Sequence, residues 1–260
     1  MKKLLIALLT AISFIPAMSQ VYNTSHDLPF QAGERIDYTV FYNVIGLYVN
    51  AGSASFTTSR TMYNDQDVFH VVGEGKTNAR YDWIFKVRDR YETFFHATTM
   101  KPVKFIRNIH EGGYKKQEEV IFDHQSRKAH TKKGNYDIPT QVQDVVSSMY
   151  FARNINYDLY KPGDKIPFSM FLDDEVYNIY IKYEGKETVK TKYGKFRAIK
   201  LKPLLLKGNV FKGGEQMTVW VTDDENRIPV RIESPISVGS IKVDLKKHEN
   251  LKYPLTAMAE

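Results

Sequence analysis

The segment Arg35–Val44 reads R-I-D-Y-T-V-F-Y-N-V, and its Ile36, Tyr38, Val40 and Tyr42 fall on alternate positions. That period of two marks a half-buried β-strand. Similar runs, rich in β-branched and aromatic residues, recur at 53–58, 68–72, 91–97, 103–109, 118–122, 128–132, 166–171, 176–183, 187–191, 196–201, 216–221, 228–233 and 239–245. Turn chemistry parts them at Asn64-Asp65, Gly112-Gly113, Lys133-Gly134-Asn135, Tyr183-Glu184-Gly185-Lys186 and Gly213-Gly214. Strands this closely spaced, with no helices alternating between them, predict an all-β-dominated fold. The expected architecture is one large, curved antiparallel sheet, a half-barrel or a barrel.

One stretch breaks the pattern. Pro139 suits the first turn of a helix, and Val142, Val145, Val146, Met149 and Tyr150 then follow at helical spacing. A single amphipathic helix is expected over Thr140–Arg153, packed on the sheet, with a second short helical turn near Asn78–Trp83. Lys161-Pro162-Gly163-Asp164 marks a sub-boundary. No linker-like segment divides the chain, so one β-rich domain over 20–260 is expected.

The first residues read differently. Lys2 and Lys3 precede an apolar run from Leu4 to Ile15, then Pro16 and the small-residue site Ala17-Met18-Ser19. This is the pattern of a secretory signal peptide over residues 1–19, and the run is too short for a spanning helix. Later apolar runs are all broken by charges, so no transmembrane segment is expected after cleavage. The expected location is periplasmic, envelope-associated or secreted.

Composition narrows the chemistry. The 260 residues are 42% hydrophobic and 13% aromatic, ordinary globular usage that excludes a disordered chain. There is no cysteine, which excludes disulfides, cysteine nucleophiles, zinc fingers and a lipidated cysteine anchor. Removing Lys2 and Lys3 lowers the net charge from +7 to +5. Export makes nucleic acid an unsuitable partner, while anionic lipids and acidic glycans suit a mildly basic surface.

Candidate motifs mostly reduce to structure. Gly73-Glu74-Gly75-Lys76-Thr77 ends like a phosphate-binding loop, but His70 stands where its first glycine belongs. The seven histidines form no H-E-x-x-H; His110-Glu111 and His124 with His130 could meet across strands, but read better as hairpin partners than as a metal site. No G-x-S-x-G elbow exists. The acidic runs Asp173-Asp174-Glu175 and Asp223-Asp224-Glu225 could supply paired carboxylates or calcium ligands, yet each lies between two strand patterns, where a polar turn belongs. Lys115-Lys116, Arg127-Lys128 and Lys132-Lys133 read as a solvated basic edge. No catalytic residue, metal or cofactor is assigned. Aromatic residues are the feature most open to a functional reading: Tyr38, Tyr42, Tyr81, Trp83, Phe85, Tyr150 and Trp220 are the candidate lining of an apolar or sugar-stacking pocket.

Several segments together resemble the exported Gram-negative family catalogued as domain of unknown function 3108. They are Gly33-Glu34-Arg35-Ile36-Asp37-Tyr38, Gly46 with Ala51-Gly52-Ser53-Ala54, Asp144–Arg153, Gly194-Lys195-Phe196 with Lys200-Leu201-Lys202-Pro203, and Trp220–Val230. The resemblance implies an envelope protein and supplies no activity or catalytic residues. Arg153, near the end of the expected helix, would complement the helix dipole. The favoured expectation is a non-enzymatic binding or carrier protein for a lipid, acyl chain or glycan, which requires a sizeable apolar cavity. The alternative is an envelope assembly protein, with a filled core and an exposed apolar patch. A hydrolase of envelope polymers, with a cleft of perturbed carboxylates, is third.

Overall fold

The computed structural model describes residues 27–44, 46–206, 213–236 and 238–259; the segment 1–19, expected to be a signal peptide, lies outside these. Strands β1 (Arg35–Val44), β2 (Leu47–Tyr63), β3 (Gln66–Thr77), β4 (Arg88–His96), β5 (Pro102–Glu111), β6 (Tyr114–Asp123), β7 (Lys128–His130) and β8 (Asn135–Asp137) form a meander. After β9 (Val142–Gln143) and helix α1 (Val145–Arg153), a second meander runs through β10 (Lys165–Leu172), β11 (Glu175–Lys190), β12 (Lys195–Pro203), β13 (Thr218–Thr222), β14 (Pro229–Pro235) and β15 (Ser240–Glu249). Pairing of β1 with β15 joins the two into one sheet, with β8 and β9 at its ends and β16 (Met258–Ala259) added beside β12. Among the described residues every strand pairing is antiparallel except that of β9 with β10. The expected curved antiparallel sheet carrying one inserted helix is therefore what forms.

The sheet rolls until its ends meet. Residues 138–141 alone separate β8 from β9, so the two edge strands are neighbours in the chain. Phe171 of β10 is fully buried against Phe122 of β6 and Tyr136 of β8, with ring centroids 6.0 and 5.8 Å away. Phe168, on the other face of β10, packs on Phe151 of α1. The β10–β11 turn completes the seam. Asp173 and Asp174 both adopt positive φ, the geometry of a tight two-residue hairpin. Their carboxylates cross to the first meander: Asp173 to Arg107 and Lys116, Asp174 to Lys133 Nζ (2.7 Å) and the Thr131 hydroxyl (2.9 Å).

The helix lies inside the roll and fills it. Tyr150 and Phe151 pack with Phe30, Phe95, Phe105, Ile166 and Phe168 in one continuous core. A second cluster gathers Ile36, Tyr38, Phe196, Ile228, Val230 and Leu245 against Leu251 and Leu255.

Two local expectations are corrected. The helix starts at Val145, not Thr140. Asp144 is its N-cap: Asp144 Oδ1 accepts the Val146 and Ser147 N–H groups at 2.8 Å, and Ser147 Oγ accepts the Asp144 N–H at 2.8 Å. This capping box fixes the start, which leaves Val142–Gln143 free to pair with Ser169–Met170. Tyr183–Lys186 is not a turn either. It lies within the single strand β11, where the register shifts and Gly185 takes a φ of +100° to form a bulge.

Candidate functional site

Three polar or apolar constellations stand apart from the ordinary core. The first is buried. Arg153, at the end of α1, forms a bidentate pair with Glu34, at 2.6 and 2.9 Å, both side chains being almost wholly buried. Its remaining donors reach the carbonyls of Asn226 and Pro29, both at 3.0 Å. Phe30 and Tyr150 rings flank the guanidinium. Arg153 therefore ties the segment before β1, the helix and the β13–β14 turn together, a larger role than complementing the helix dipole. Tyr150 in turn shares a 2.7 Å hydrogen bond with Thr58, and Thr93 donates to Asp144 at 2.5 Å.

Burial pushes the Asp144 carboxyl up to about 6 against the pull of the hydrogen bonds it receives. The folded state thus holds this proton more tightly than the unfolded chain does. The contribution is fully present below the ordinary carboxylate range and is lost as pH rises to about 6. The unfolding free energy of the wild type, relative to that of Asp144→Asn, should therefore fall by about 3 kcal/mol between pH 3.5 and pH 7. Urea titrations of the two proteins at both pH values measure it; a difference independent of pH would rule out the shift.

The second constellation lines the inner face at one end of the roll. Strand alternation puts Asp89 and Tyr91 of β4, Arg107 and Glu111 of β5, and Lys116 and Glu118 of β6 on the same face as the core residues Phe105 and Val120. Arg107 Nε lies 2.6 Å from Glu118, and Asp173 reaches in from the opposite turn. Partial burial works to raise the Asp173 carboxyl, but Lys116 and Arg107 outweigh it and hold it low. Burial raises both the Asp89 and the Glu111 carboxyls, and the nearby Asp89 charge raises Glu111 further. The cations here are consumed by structural ion pairs.

The third lies at the same end, on the outside. Tips of separate hairpins meet there in one ridge. The Tyr42 hydroxyl donates to the Val238 carbonyl (2.9 Å), and Lys242 Nζ lies 4.0 Å from the Tyr48 ring centre. Asn78 donates to the carbonyls of Ala51 and Asn50 (2.8 and 2.9 Å). The Gly112 N–H donates to the Lys86 carbonyl at 2.7 Å, and the Phe85 ring lies so near Gly112 that a Cβ there would meet it at 2.7 Å. Trp83 is 83% exposed, Leu47 and Val238 73%, and Ile84 62%. These large apolar side chains stand in solvent together at one end of the roll.

The predicted aromatic set divides among these places. Tyr38 and Tyr150 are core residues buried to 3% exposure, and burial raises both hydroxyls. Tyr81, Trp83 and Phe85 belong to the β3–β4 connection, whose 3-10 turn Ala79–Tyr81 matches the expected helical turn. Tyr42 borders the same ridge. Trp220 stands elsewhere, donating to Glu187 at 2.7 Å beneath Lys200. The acidic turns and the basic hairpins, read separately in the sequence, join across the seam at Asp173 and Asp174. Asp224 instead orders the β13–β14 turn by accepting from Thr222 (2.7 Å) and Asn226 (3.1 Å). His124 donates to the Pro102 carbonyl and His130 bonds Asn135, each at 2.7 Å. Among the described residues no group of three or more His, Asp or Glu is placed to hold a metal ion.

A trough of about 660 Å³ is bordered by Arg35, Asp37, Glu74, Lys76, Arg88 and Arg90. It is open and polar, and ion pairs such as Arg90–Glu74 and Arg35–Asp37 neutralise much of its charge. No helix among the described residues is long and apolar enough to cross a membrane.

The fold has a solved counterpart. A β-barrel-like protein of domain of unknown function DUF1849 from Brucella abortus is similar at a TM-score of 0.52 and 10% identity, with 83% of this chain and 96% of that chain covered. A DUF1329 family protein from Desulfovibrio piger is matched at a TM-score of 0.31 and 10% identity, covering 88% of this chain and 90% of that one. No curated protein matches the sequence. The model of the family described as protein of unknown function (DUF3108) matches residues 37–246, and the chain belongs to that family.

Proposed function

We propose that this protein is a non-enzymatic binding protein of the cell envelope that acts through the exposed apolar ridge, not through an internal ligand cavity. One observation carries the reading: α1 and the rings around it fill the roll, while Leu47, Trp83, Ile84 and Val238 stand in solvent at one end. A carrier of an enclosed lipid needs the reverse arrangement. The leader pattern at Met1–Ser19 supports the envelope address.

Two measurements test this. Native mass spectrometry of protein purified from the envelope should give the mass of the mature chain alone, and solvent extraction should release no stoichiometric lipid or glycan. A stoichiometric apolar ligand would return the weight to the carrier reading. A photo-activatable residue at position 84, installed in living cells, should form adducts that the same residue at position 74, in the polar trough, does not. Equal labelling from both positions would remove the ridge from the argument.

A further inference from the structure

The geometry points to a specific occupant for this ridge: we infer that it is a bilayer-docking face, with Leu47, Tyr48, Trp83, Ile84, Phe85 and Val238 entering the interface of an anionic membrane. The inference rests on the surface-acting reading above and names its partner.

The first argument is the chemistry of the side chains. Tryptophan and tyrosine with flanking aliphatics are the residues that settle at the level of lipid headgroups, where one end of each ring is apolar and the other wet. They are presented by tips of different hairpins held together by the hydrogen bonds described above, so they form a broad contact and not one protruding loop.

Charge is the second argument. Arg80, Lys86 and Lys115 are exposed around the ridge, and Lys242 lies over Tyr48. Among the described residues none of these four takes part in a salt bridge, although most charged groups nearby do. Asp82 is held by Arg88 at 2.6 Å, Asp173 and Asp174 are consumed at the seam, and Asp89 and Glu111 lie on the inner face, away from the ridge. Among the described residues the uncompensated charge at this end is therefore positive, as the phosphates of an anionic leaflet require.

The same features disfavour other occupants. Protein interfaces are depleted in lysine at their centres. A two-fold contact with a second copy would bring Lys86 and Lys115 against like charges. The wall beyond the ridge limits the depth of entry, because the outward face of β1–β4 carries Arg35, Asp37, Glu74, Lys76 and Arg90. The tips enter the interface while the roll stays in water.

Trp83 is itself the reporter, since the chain has only two tryptophans and Trp220→Phe leaves Trp83 alone. Adding vesicles of phosphatidylglycerol and phosphatidylethanolamine to that variant should shift Trp83 emission to the blue, and brominated acyl chains should quench it. Phosphatidylcholine vesicles should bind far more weakly. Lys86→Gln with Lys115→Gln should lower partitioning to the anionic vesicles roughly tenfold or more. Trp83→Ser with Ile84→Ser should abolish flotation with vesicles while leaving thermal unfolding unchanged, because both side chains stand largely in solvent. Unchanged Trp83 emission with anionic vesicles overturns the inference, as does equal binding to neutral ones. If vesicles fail but position 84 labels a protein in cells, the surface-acting reading survives and the lipid assignment falls. If position 84 also labels no more than position 74, both fall together.

Discussion

Glu34→Ala is expected to cost about 3–5 kcal/mol of folding stability, read as a lowered urea midpoint with little change in slope. The reason is the burial of its partner. Arg153 is 4% exposed and satisfied by the Glu34 carboxylate together with the carbonyls of Asn226 and Pro29. Removing the carboxylate leaves a buried guanidinium with no counter-charge among the described residues. The double variant Glu34→Met, Arg153→Met removes both charges and should lose clearly less than the sum of the two single changes. Additive losses would mean that the pair is not coupled, and that the packing of Arg153 on Phe30 and Tyr150 matters more than its charge.

A similar loss, about 3–5 kcal/mol, is expected for Phe30→Ala. Phe30 is 1% exposed and sits among Phe69, Phe95 and Tyr150, with ring centroids at 5.2, 5.9 and 4.8 Å. It arrives from the segment before β1 and closes the space between α1 and strands β3 and β4. The melting temperature should fall by roughly 10 °C for a domain of this size. The hole left behind is apolar, and such cavities stay dry and take up small hydrocarbons. Benzene should therefore raise the melting temperature of the variant and leave that of the wild type unmoved. A rise in the wild type would reveal room in an interior that the packing shows as filled, and would bear on the proposed function as well.

How much of this could be read from the sequence follows from the range of the interactions. Alternation along a strand is local, so Ile36, Tyr38, Val40 and Tyr42 revealed β1 directly, and the long hairpins followed. The capping box Asp144-x-x-Ser147 is equally local and marks the helix start more sharply than Pro139 does. Strands β8, β9 and β16 are two or three residues long. Their pairing depends on the rolled sheet, so no local pattern announces them. The candidate site divides the same way. Trp83 and Phe85 stood out as aromatic residues in a connection, but that Leu47, Ile84 and Val238 join them depends on which hairpin tips lie at one end. Tyr38 and Tyr150 share the composition of the ridge and not its location. Glu34 and Arg153 lie 119 positions apart, a pairing visible only in the folded chain.

The order of the strands has a consequence for assembly. Within each meander every strand pairs with its sequence neighbour, so each half can gather by short loops as soon as its residues are present. The contact that unites them, β1 with β15, joins Arg35 to Glu249 and cannot exist until nearly the whole chain is available. Closing so long a loop is the entropically demanding step, and topologies that depend on such contacts fold slowly. Until then β1 waits with one open edge, carrying the backbone groups that invite pairing with another chain. The central strand of the finished sheet is thus, for part of its history, the most exposed one.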